Sequence, residues 1–259
     1  MIDKKIKYVS KFYNNIGWEE KNKNTLDATL FEDLRFNAKE YVSKCRNRLQ
    51  KYIPKKGVHI LDFASGPIQY PEYLLYSKNF KLRHCVDFSK LAIKVAKLKL
   101  GNKGRFYCND FFKIKFKKNY FDCILSLHTI YHIDKNLQAK AVRKLINISK
   151  RNTPIIIVYS NPNTYINRIK KKIFKKKSKS KKTNLYFFCH PIKWWFQFEK
   201  ITNIEIKPWR SFSSDHQKKI FPNNIFGKIM LRILFVMEEY FKKFFINNFQ
   251  YYTVILKKK

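Results

Sequence analysis

The chain has few glycines and few acidic residues. Its 259 residues include six glycines, and 18 Asp and Glu residues stand against 56 Lys and Arg residues, a formal net charge of +38. No apolar run approaches the roughly 18 residues of a membrane-spanning helix, and the N-terminal segment lacks the apolar core of a signal peptide. We therefore expect a cytoplasmic protein with no transmembrane segment.

Short-spaced cysteine pairs are also missing. The five cysteines are odd in number and far apart, whereas metal sites and redox loops need neighbouring ligands. We expect free thiols in a reducing compartment and no metal site. The five are Cys45, Cys85, Cys108, Cys123 and Cys189.

The positive charge is carried mainly by lysine. The sequence has 46 Lys and 10 Arg, whereas arginine is the better residue for bidentate phosphate recognition. A solvated lysine-rich surface is the favoured interpretation. Binding of nucleic acid, anionic lipid or an acidic glycan stays open as the alternative.

Strand and helix patterns alternate after the first 54 residues. This alternation predicts βαβ crossovers and an α/β fold with a mostly parallel sheet covered by helices on both faces. The predicted strands are Val58–Phe63, Leu82–Asp87, Arg105–Cys108, Phe121–Leu127, Pro154–Ser160, Lys200–Trp209 and Tyr251–Leu256.

The remaining segments are predicted to be additions to this domain, which spans 55–259. Residues 1–54 form a helical extension or lid, with a helix over Leu30–Ile53 that ends before Pro54. Nine lysines between Lys170 and Lys182 indicate a loop or frayed helix over 161–184. A helical insertion is expected over 211–248.

One helix is predicted inside that insertion, from Ile225 to Phe245. A broad apolar stripe along it indicates a helix packed on the core. A basic helix lying on a membrane surface is the alternative, so peripheral membrane contact stays open. The stripe consists of Phe226, Ile229, Met230, Ile233, Met237, Tyr240 and Phe244.

Acidic residues end three consecutive predicted strands. Asp62, Asp87 and Asp110 are spaced so that each interval holds one strand and one helix. All three carboxylates should meet at the carboxyl edge of one sheet, where open α/β sheets bind ligands. An acid after the second strand can bind ribose hydroxyls, and one after the third can bind an exocyclic amine. The pattern favours an adenosine-like ligand.

A nicotinamide dinucleotide is a poor match for the first turn. The G-x-G-x-x-G register reads Ala64, Gly66 and Gln69, so one glycine of three is present. Asp62 just before the turn would repel a pyrophosphate. It suits a cationic ligand better.

Five motifs in order resemble class I S-adenosylmethionine-dependent methyltransferases of the small-molecule, type 11-like kind. They are ILDFASGP, HCVDFS, CNDFF, FDCILSLHTIYHI and PIIIVYSNP, and they cover about residues 55–160. The resemblance implies a Rossmann-like sheet of seven strands and S-adenosylmethionine as cofactor. Two turn glycines of the family are replaced by Ala64 and Ile68, and alanine fits if its φ is negative.

The resemblance also implies roles for individual residues. The first turn would wrap the methionine part of the cofactor, the second strand end would hold ribose and adenine, and the third would read the adenine amine. Leu127 would border the sulfonium. The implied cofactor residues are Asp62, Ala64, Ser65, Gly66, Asp87, Phe88, Asn109, Asp110, Phe111 and Leu127.

His128 is the candidate general base, because it follows the fourth strand, where the cofactor and the acceptor would meet. A hydrogen-bonded wall residue is the competing interpretation. His132 is expected to pack against or cap the next helix, and Asp122 to be structural. Tyr13, Trp18 and Glu19 could form a lid, and His190, Trp194 and Trp195 could wall the pocket. Aromatic packing of helices on the sheet is the competing interpretation of these residues.

Three functions compete at this point. The favoured one is methyl transfer to a small-molecule or saccharide acceptor. A nucleic-acid methyltransferase fits the charge, but the fourth strand ends in SLHT rather than in an N-P-P-Y-like signature. A non-catalytic module with the same fold is the third. The sequence leaves the oligomeric state open.

Overall fold

The computed structural model describes residues 13, 17–18, 20–21, 24–173 and 186–259. Seven strands form one sheet, and a separate two-residue antiparallel ladder joins Glu20–Lys21 to Asn24–Thr25. The seven strands are β1 (Gly57–Phe63), β2 (Phe80–Asp87), β3 (Gly104–Cys108), β4 (Cys123–Leu127), β5 (Pro154–Ser160), β6 (Thr202–Arg210) and β7 (Tyr251–Lys258).

The spatial order of the strands is β3-β2-β1-β4-β5-β7-β6. All neighbours are parallel except β7, which runs antiparallel to both β5 and β6. The order reverses between β1 and β4, and such a switch point opens a crevice at the carboxyl ends of the strands. The predicted Rossmann-like, mostly parallel sheet is confirmed.

Strand β5 shows how both faces of the sheet are covered. All seven of its residues are buried. Ile155, Ile157 and Tyr159 pack in one apolar cluster, and Ile156 and Val158 pack in another. Because side chains alternate along a strand, the two clusters lie on opposite faces. A continuous apolar run is therefore the sequence signature of this central strand.

Nine α-helices surround the sheet within the described part of the chain. They are α1 (Leu26–Phe31), α2 (Lys39–Asn47), α3 (Pro71–Leu75), α4 (Lys90–Leu100), α5 (Lys135–Ile148), α6 (Tyr165–Ile173), α7 (Ser214–Ile220), α8 (Ile225–Tyr240) and α9 (Lys242–Asn248). Helix starts follow local capping rules: Ser89 Oγ accepts from Ala92 N, and Asp134 Oδ1 accepts from Asn136 N.

The predicted helix over Leu30–Ile53 is wrong as a single element. Helix α1 ends at Phe31, residues 32–38 are not helical, and α2 begins at Lys39. Two acids in the break have distant partners: Glu32 binds Arg210, and Asp33 accepts from Gln217 Nε2. The apolar periodicity predicts one continuous helix, but ion pairs and hydrogen bonds to distant residues break the helix between Phe31 and Lys39.

Other predicted boundaries also shift. Phe121 lies outside β4 and makes only an isolated bridge to Ser149. Residues 192–198 form a 3-10 helix. Part of the predicted lysine-rich loop is helix α6, and residues 174–184 of it lie outside the described residues.

The predicted helix over Ile225–Phe245 is two helices, α8 and α9, separated at Phe241. The predicted buried stripe is also wrong. Leu231, Leu234 and Glu238 are buried, whereas most of the stripe, including Phe226 and Ile233, is exposed. A buried acid fixes this orientation, and hydrophobicity alone could not reveal it.

Glu238 is the buried acid that holds α8 against the rest of the molecule. Its carboxylate pairs with Arg48 Nη1 at 2.7 Å and accepts from the Tyr41 hydroxyl at 2.6 Å and from Ser211 N at 3.0 Å. Its neighbour Glu239 pairs with Arg48 Nε at 2.7 Å but is partly exposed. Arg48, from the N-terminal region, is thus paired with two acidic residues of α8.

Loss of the buried charge should be much more costly than loss of its neighbour. Glu238→Gln leaves Arg48 buried with one of its two acids, and the free energy of unfolding should fall by about 3 kcal/mol or more. Glu239→Gln, the matched control, should lower it by less than about 1.5 kcal/mol because solvent screens that pair. Urea unfolding measures both, and equal losses would contradict the assigned role of Glu238.

Candidate active site

A cavity of about 590 Å³ opens at the carboxyl edge of β1, β2, β3 and β4. This volume lies within the range of roughly 300–1,000 Å³ found for small-molecule sites. Every predicted cofactor residue and the candidate base line it. They are Asp62, Ala64, Ser65, Gly66, Asp87, Phe88, Asn109, Asp110, Phe111, Leu127 and His128.

The turn after β1 has an unusual backbone. Ala64, Gly66 and Ile68 all have positive φ, at 57°, 54° and 51°. Alanine fits this turn readily only if its φ is negative, and Ala64 does not meet that condition. The backbone keeps a left-handed conformation at all three positions, although two carry a Cβ, which costs about 1–2 kcal/mol per residue there. Burial of Ile68 among Cys85 and Ala96 offsets part of this cost.

Asp62 is already paired within the protein. Arg83 Nη2 donates to Asp62 Oδ2, and both side chains are buried. Arg83 also donates to the Tyr73 carbonyl at 2.5 Å. The predicted preference of Asp62 for a cationic ligand is therefore weakened, because a buried guanidinium balances its charge. Arg83 lies inside β2, and its spacing gave no signal of this pairing.

Asp87 lies at the end of β2 and organises two turns. Its Oδ2 accepts from Gly66 N at 2.9 Å, and its Oδ1 accepts from Ser89 N at 2.9 Å. Burial nonetheless raises the pKa of Asp87 to about 6, opposed by the hydrogen bonds from Ser89 and Gly66. The Asp87 carboxylate thus links the turn after β1 to the turn after β2 by hydrogen bonds.

The next wall of the cavity is apolar. Phe63 and Phe111 stack with centroids 4.1 Å apart, and Phe111 is buried. Asp110 Oδ1 accepts from Phe112 N at 2.8 Å, so this acid also shapes its own loop. Lys144 Nζ donates to the Phe111 carbonyl at 2.5 Å. A flat ring could therefore lie near Phe88 and Phe111 with polar groups of Asn109 and Asp110 at its edge.

His128 follows β4 with a φ of 58°. Its Nδ1 lies 2.8 Å from the Tyr131 hydroxyl, and its ring packs edge-on against Trp209 with centroids 4.6 Å apart. Burial, with the charge of Arg210, lowers the pKa of His128 well below its ordinary value, so the imidazole is neutral at pH 7. It can act as a base at Nε2 only when Nδ1 carries the proton and donates to Tyr131.

Sequence reasoning missed a buried ion-pair network beside His128. Glu32 pairs with Arg210 and with Arg46 Nη2, the latter at 2.6 Å. Burial would raise the pKa of Glu32, but the charges of Arg210 and Arg46 outweigh it and lower the pKa. Glu32 and Arg210 both line the cavity. The three residues lie far apart in the sequence, and no motif signalled their meeting.

Further aromatic residues close this part of the cavity. Tyr70, Tyr73 and Tyr251 line it, and Arg46 lies over the Tyr70 ring, 3.3 Å from its centroid. Trp209 Nε1 is buried and has no hydrogen-bond partner among the described residues.

Two residues predicted for a lid also line the cavity. Tyr13 and Trp18 stack with centroids 4.9 Å apart. A Cβ on Gly66 would lie 3.1 Å from the Trp18 ring, so glycine permits this close approach. Glu19, the third predicted lid residue, lies outside the described residues.

The proposed wall of His190, Trp194 and Trp195 is wrong. Trp195 is buried in the core, His190 stacks on Trp194 at 4.5 Å, and the cavity lining includes none of the three. They pack in or against the apolar cluster on one face of the sheet, far along the chain from the turns that form the site.

The structure agrees with the prediction for Asp122 and differs from part of the prediction for His132. His132 does line the cavity, with Nδ1 at 2.8 Å from the Tyr186 carbonyl, and Asp134 caps α5 in its place. Asp122 accepts from the backbone of Val58 and His59, away from the site, as expected of a structural acid. Within the described part of the chain, no three His, Cys, Asp or Glu residues are placed to hold a metal ion.

Comparison with known proteins agrees with this geometry. Residues 61–157 match the family model described as a methyltransferase domain. No curated protein matches the sequence. The match spans most of the segment whose five motifs resemble class I S-adenosylmethionine-dependent methyltransferases.

Solved structures share the fold at low identity. The DhpI-SAM-HEP complex has a TM-score of 0.60 and 10% identity, covering 97% of each chain. A SAM-dependent methyltransferase from Archaeoglobus fulgidus has a TM-score of 0.53 and 18% identity, covering 86% of this chain and 97% of that one. The 4+2 cyclase SpnF has a TM-score of 0.53 and 13% identity, covering 84% and 80%. The fold therefore also occurs in a protein named for other chemistry.

Replacing Ala64 with glycine should stabilise the protein. Ala64→Gly relieves a positive φ, and the free energy of unfolding should rise by about 0.5–1 kcal/mol after the entropy cost of glycine. Ala96→Gly, inside helix α4, should lower it by about 1 kcal/mol or more. Thermal and urea unfolding distinguish the two, and a loss of stability in both variants would contradict the strain at Ala64.

Proposed function

We propose that the chain transfers a methyl group from S-adenosylmethionine to a small-molecule acceptor held in the same cavity. The observation that carries this proposal is the division of the cavity. One end has the strand-end acids Asp87 and Asp110, and the other has His128 among aromatic rings and a buried ion pair. A nucleoside and an acceptor could bind side by side.

The cofactor end fits a nucleoside. Asp87 offers carboxylate oxygens for ribose hydroxyls, while Phe88 and Phe111 offer apolar surfaces for a base. The left-handed turn at Gly66 brings backbone close to the place where the amino-acid part would lie. When bound, the cofactor supplies an activated methyl group on a sulfonium.

The chain's own contribution is alignment and exclusion of water. Well-oriented groups can supply about 7–11 kcal/mol of a barrier. Trp18 over Gly66 and the aromatic wall of Tyr70, Trp209 and Tyr251 enclose the reacting groups. We infer that Tyr13 and Trp18 act as a lid.

His128 would accept the proton of an acceptor hydroxyl or amine. In this role Tyr131 fixes the ring by accepting from Nδ1–H, which leaves Nε2 as the base. A neutral imidazole is required, and burial provides it.

Cofactor binding should depend on Asp87. S-adenosylhomocysteine should raise the melting temperature, and Asp87→Asn should weaken its binding by at least about tenfold, because a charge-assisted bond is lost. Glu199→Gln, an exposed surface acid, is the matched control and should bind as the parent does. Absence of any shift in the parent protein would exclude the proposed cofactor.

The pH dependence of S-adenosylhomocysteine binding gives a second, independent test of the role of Asp87. Its pKa of about 6 means that acidification protonates the Asp87 carboxylate. Affinity for S-adenosylhomocysteine should therefore fall by about tenfold between pH 7 and pH 5. Calorimetry on Asp87→Asn should show a nearly flat profile, and an equally steep one would assign the titration to another group.

Methyl transfer itself can be tested without a known acceptor. Radiolabelled S-adenosylmethionine should label the small-molecule fraction of a cell extract rather than its RNA fraction. His128→Gln should abolish most of this labelling, by ~10²–10⁴-fold, and retain S-adenosylhomocysteine binding. Labelling of RNA instead would support the alternative of a nucleic-acid methyltransferase, and full activity of His128→Gln would remove the base role.

A further inference from the structure

An apolar surface on α8 and α9 is exposed to solvent. Its side chains retain between 42% and 80% of their accessible area, which is unusual for a contiguous set of large apolar residues. We call it the α8–α9 face. It comprises Ile225, Phe226, Ile229, Ile233, Val236, Met237, Tyr240, Phe241 and Phe244.

This face is held outward by the opposite side of α8. Leu231 and Leu234 are buried in a cluster with α2, and Glu238 is bound to Arg48 and Tyr41. Residues such as Phe226 and Ile233 lie about 100–150° around the helix from this buried stripe. The packing of α8 therefore fixes the exposed side chains on the outer surface.

The surroundings of the face are basic. Residues 218–249 contain six basic residues and two acids. Both acids, Glu238 and Glu239, pair with Arg48 on the protein side of the helix. The basic residues are Lys218, Lys219, Lys228, Arg232, Lys242 and Lys243. Lys228 and Arg232 pair with Glu40 of α2, so the lysines at 218, 219, 242 and 243 carry the positive charge of the rim.

The face is close to elements that form the mouth of the cavity. Lys228 Nζ lies 5.1 Å from the centroid of the exposed Phe36 ring, which joins α8 to the loop after α1. Phe31, at the end of α1, lines the cavity and is itself partly exposed. Ser214, at the start of α7, donates to the Phe31 carbonyl. The segment that contains Phe31 and Phe36 thus contacts α8 and also contributes to the cavity lining.

The charge of the α8–α9 face favours an anionic bilayer over a second copy of the chain as the partner of this surface. A second copy would bring another chain of net charge +38 against a basic rim, and like charges would repel. An anionic bilayer supplies both the negative charge for the lysines and an apolar interior for Phe226, Ile233 and Tyr240. Helix α8 has 16 residues, fewer than the roughly 20 of a helix that spans a bilayer, so it would lie along the surface.

We propose that the α8–α9 face binds an anionic lipid bilayer surface, with its apolar side chains among the acyl chains and its basic rim at the headgroups. This proposal is independent of methyl transfer, because it rests on exposure, packing and charge.

Vesicle flotation tests the proposal directly. The protein should float with vesicles of phosphatidylcholine and phosphatidylglycerol, much less with phosphatidylcholine alone, and less as salt is raised. The variant Phe226→Ser, Ile233→Ser, Tyr240→Ser should bind at least about tenfold more weakly. A matched variant removes exposed apolar side chains elsewhere, Val58→Ser, Leu75→Ser, Leu98→Ser, and should bind as the parent does.

Two charge-reversal variants test whether the position of the basic residues matters or only the net charge of the protein. Lys242→Glu with Lys243→Glu should weaken vesicle binding by at least about tenfold, whereas Lys94→Glu with Lys97→Glu on α4 should have little effect. Circular dichroism and S-adenosylhomocysteine stabilisation check that each variant is folded. The proposal is overturned by absence of vesicle binding, by equal losses in test and control variants, or by a dimer that the serine variants dissociate.

Discussion

Four buried arginines, each paired with a carboxylate, hold together the parts of this molecule that form the site. A guanidinium is costly to bury without a negative partner. Arg46 and Arg210 share Glu32, Arg48 takes Glu238 and Glu239, and Arg83 takes Asp62. The chain has 18 acidic and 56 basic residues, so acidic partners are scarce, and four of them are committed to these buried arginines. Four of the ten arginines form these internal pairs.

The ion pairs also join segments that are distant in sequence. Glu32 lies between α1 and α2, whereas Arg210 ends β6, so one pair ties the N-terminal region to the far edge of the sheet. The aromatic wall around His128 depends on that connection, because Trp209 precedes Arg210 and Tyr251 packs against Trp209. The cavity is consequently built from both ends of the chain around the central strands.

The same arrangement gives the protein two different faces. The carboxyl edge of the sheet offers enclosed polar groups for a nucleoside, while α8 offers an open apolar surface with a basic rim. Glu238 connects the two, since its pairing with Arg48 sets the rotation of α8.

The sequence by itself determined the sheet, the turn after β1 and the position of the strand-end acids at one edge of the sheet. Those features depend on local rules: alternation of strand and helix, a turn after an apolar strand, and strand ends that share one edge. Tertiary structure alone decided the pairing of Asp62 with Arg83, the break after α1, the positive φ of Ala64 and the outward face of α8. Each of these depends on a partner many residues away or on a backbone conformation that side-chain periodicity does not encode.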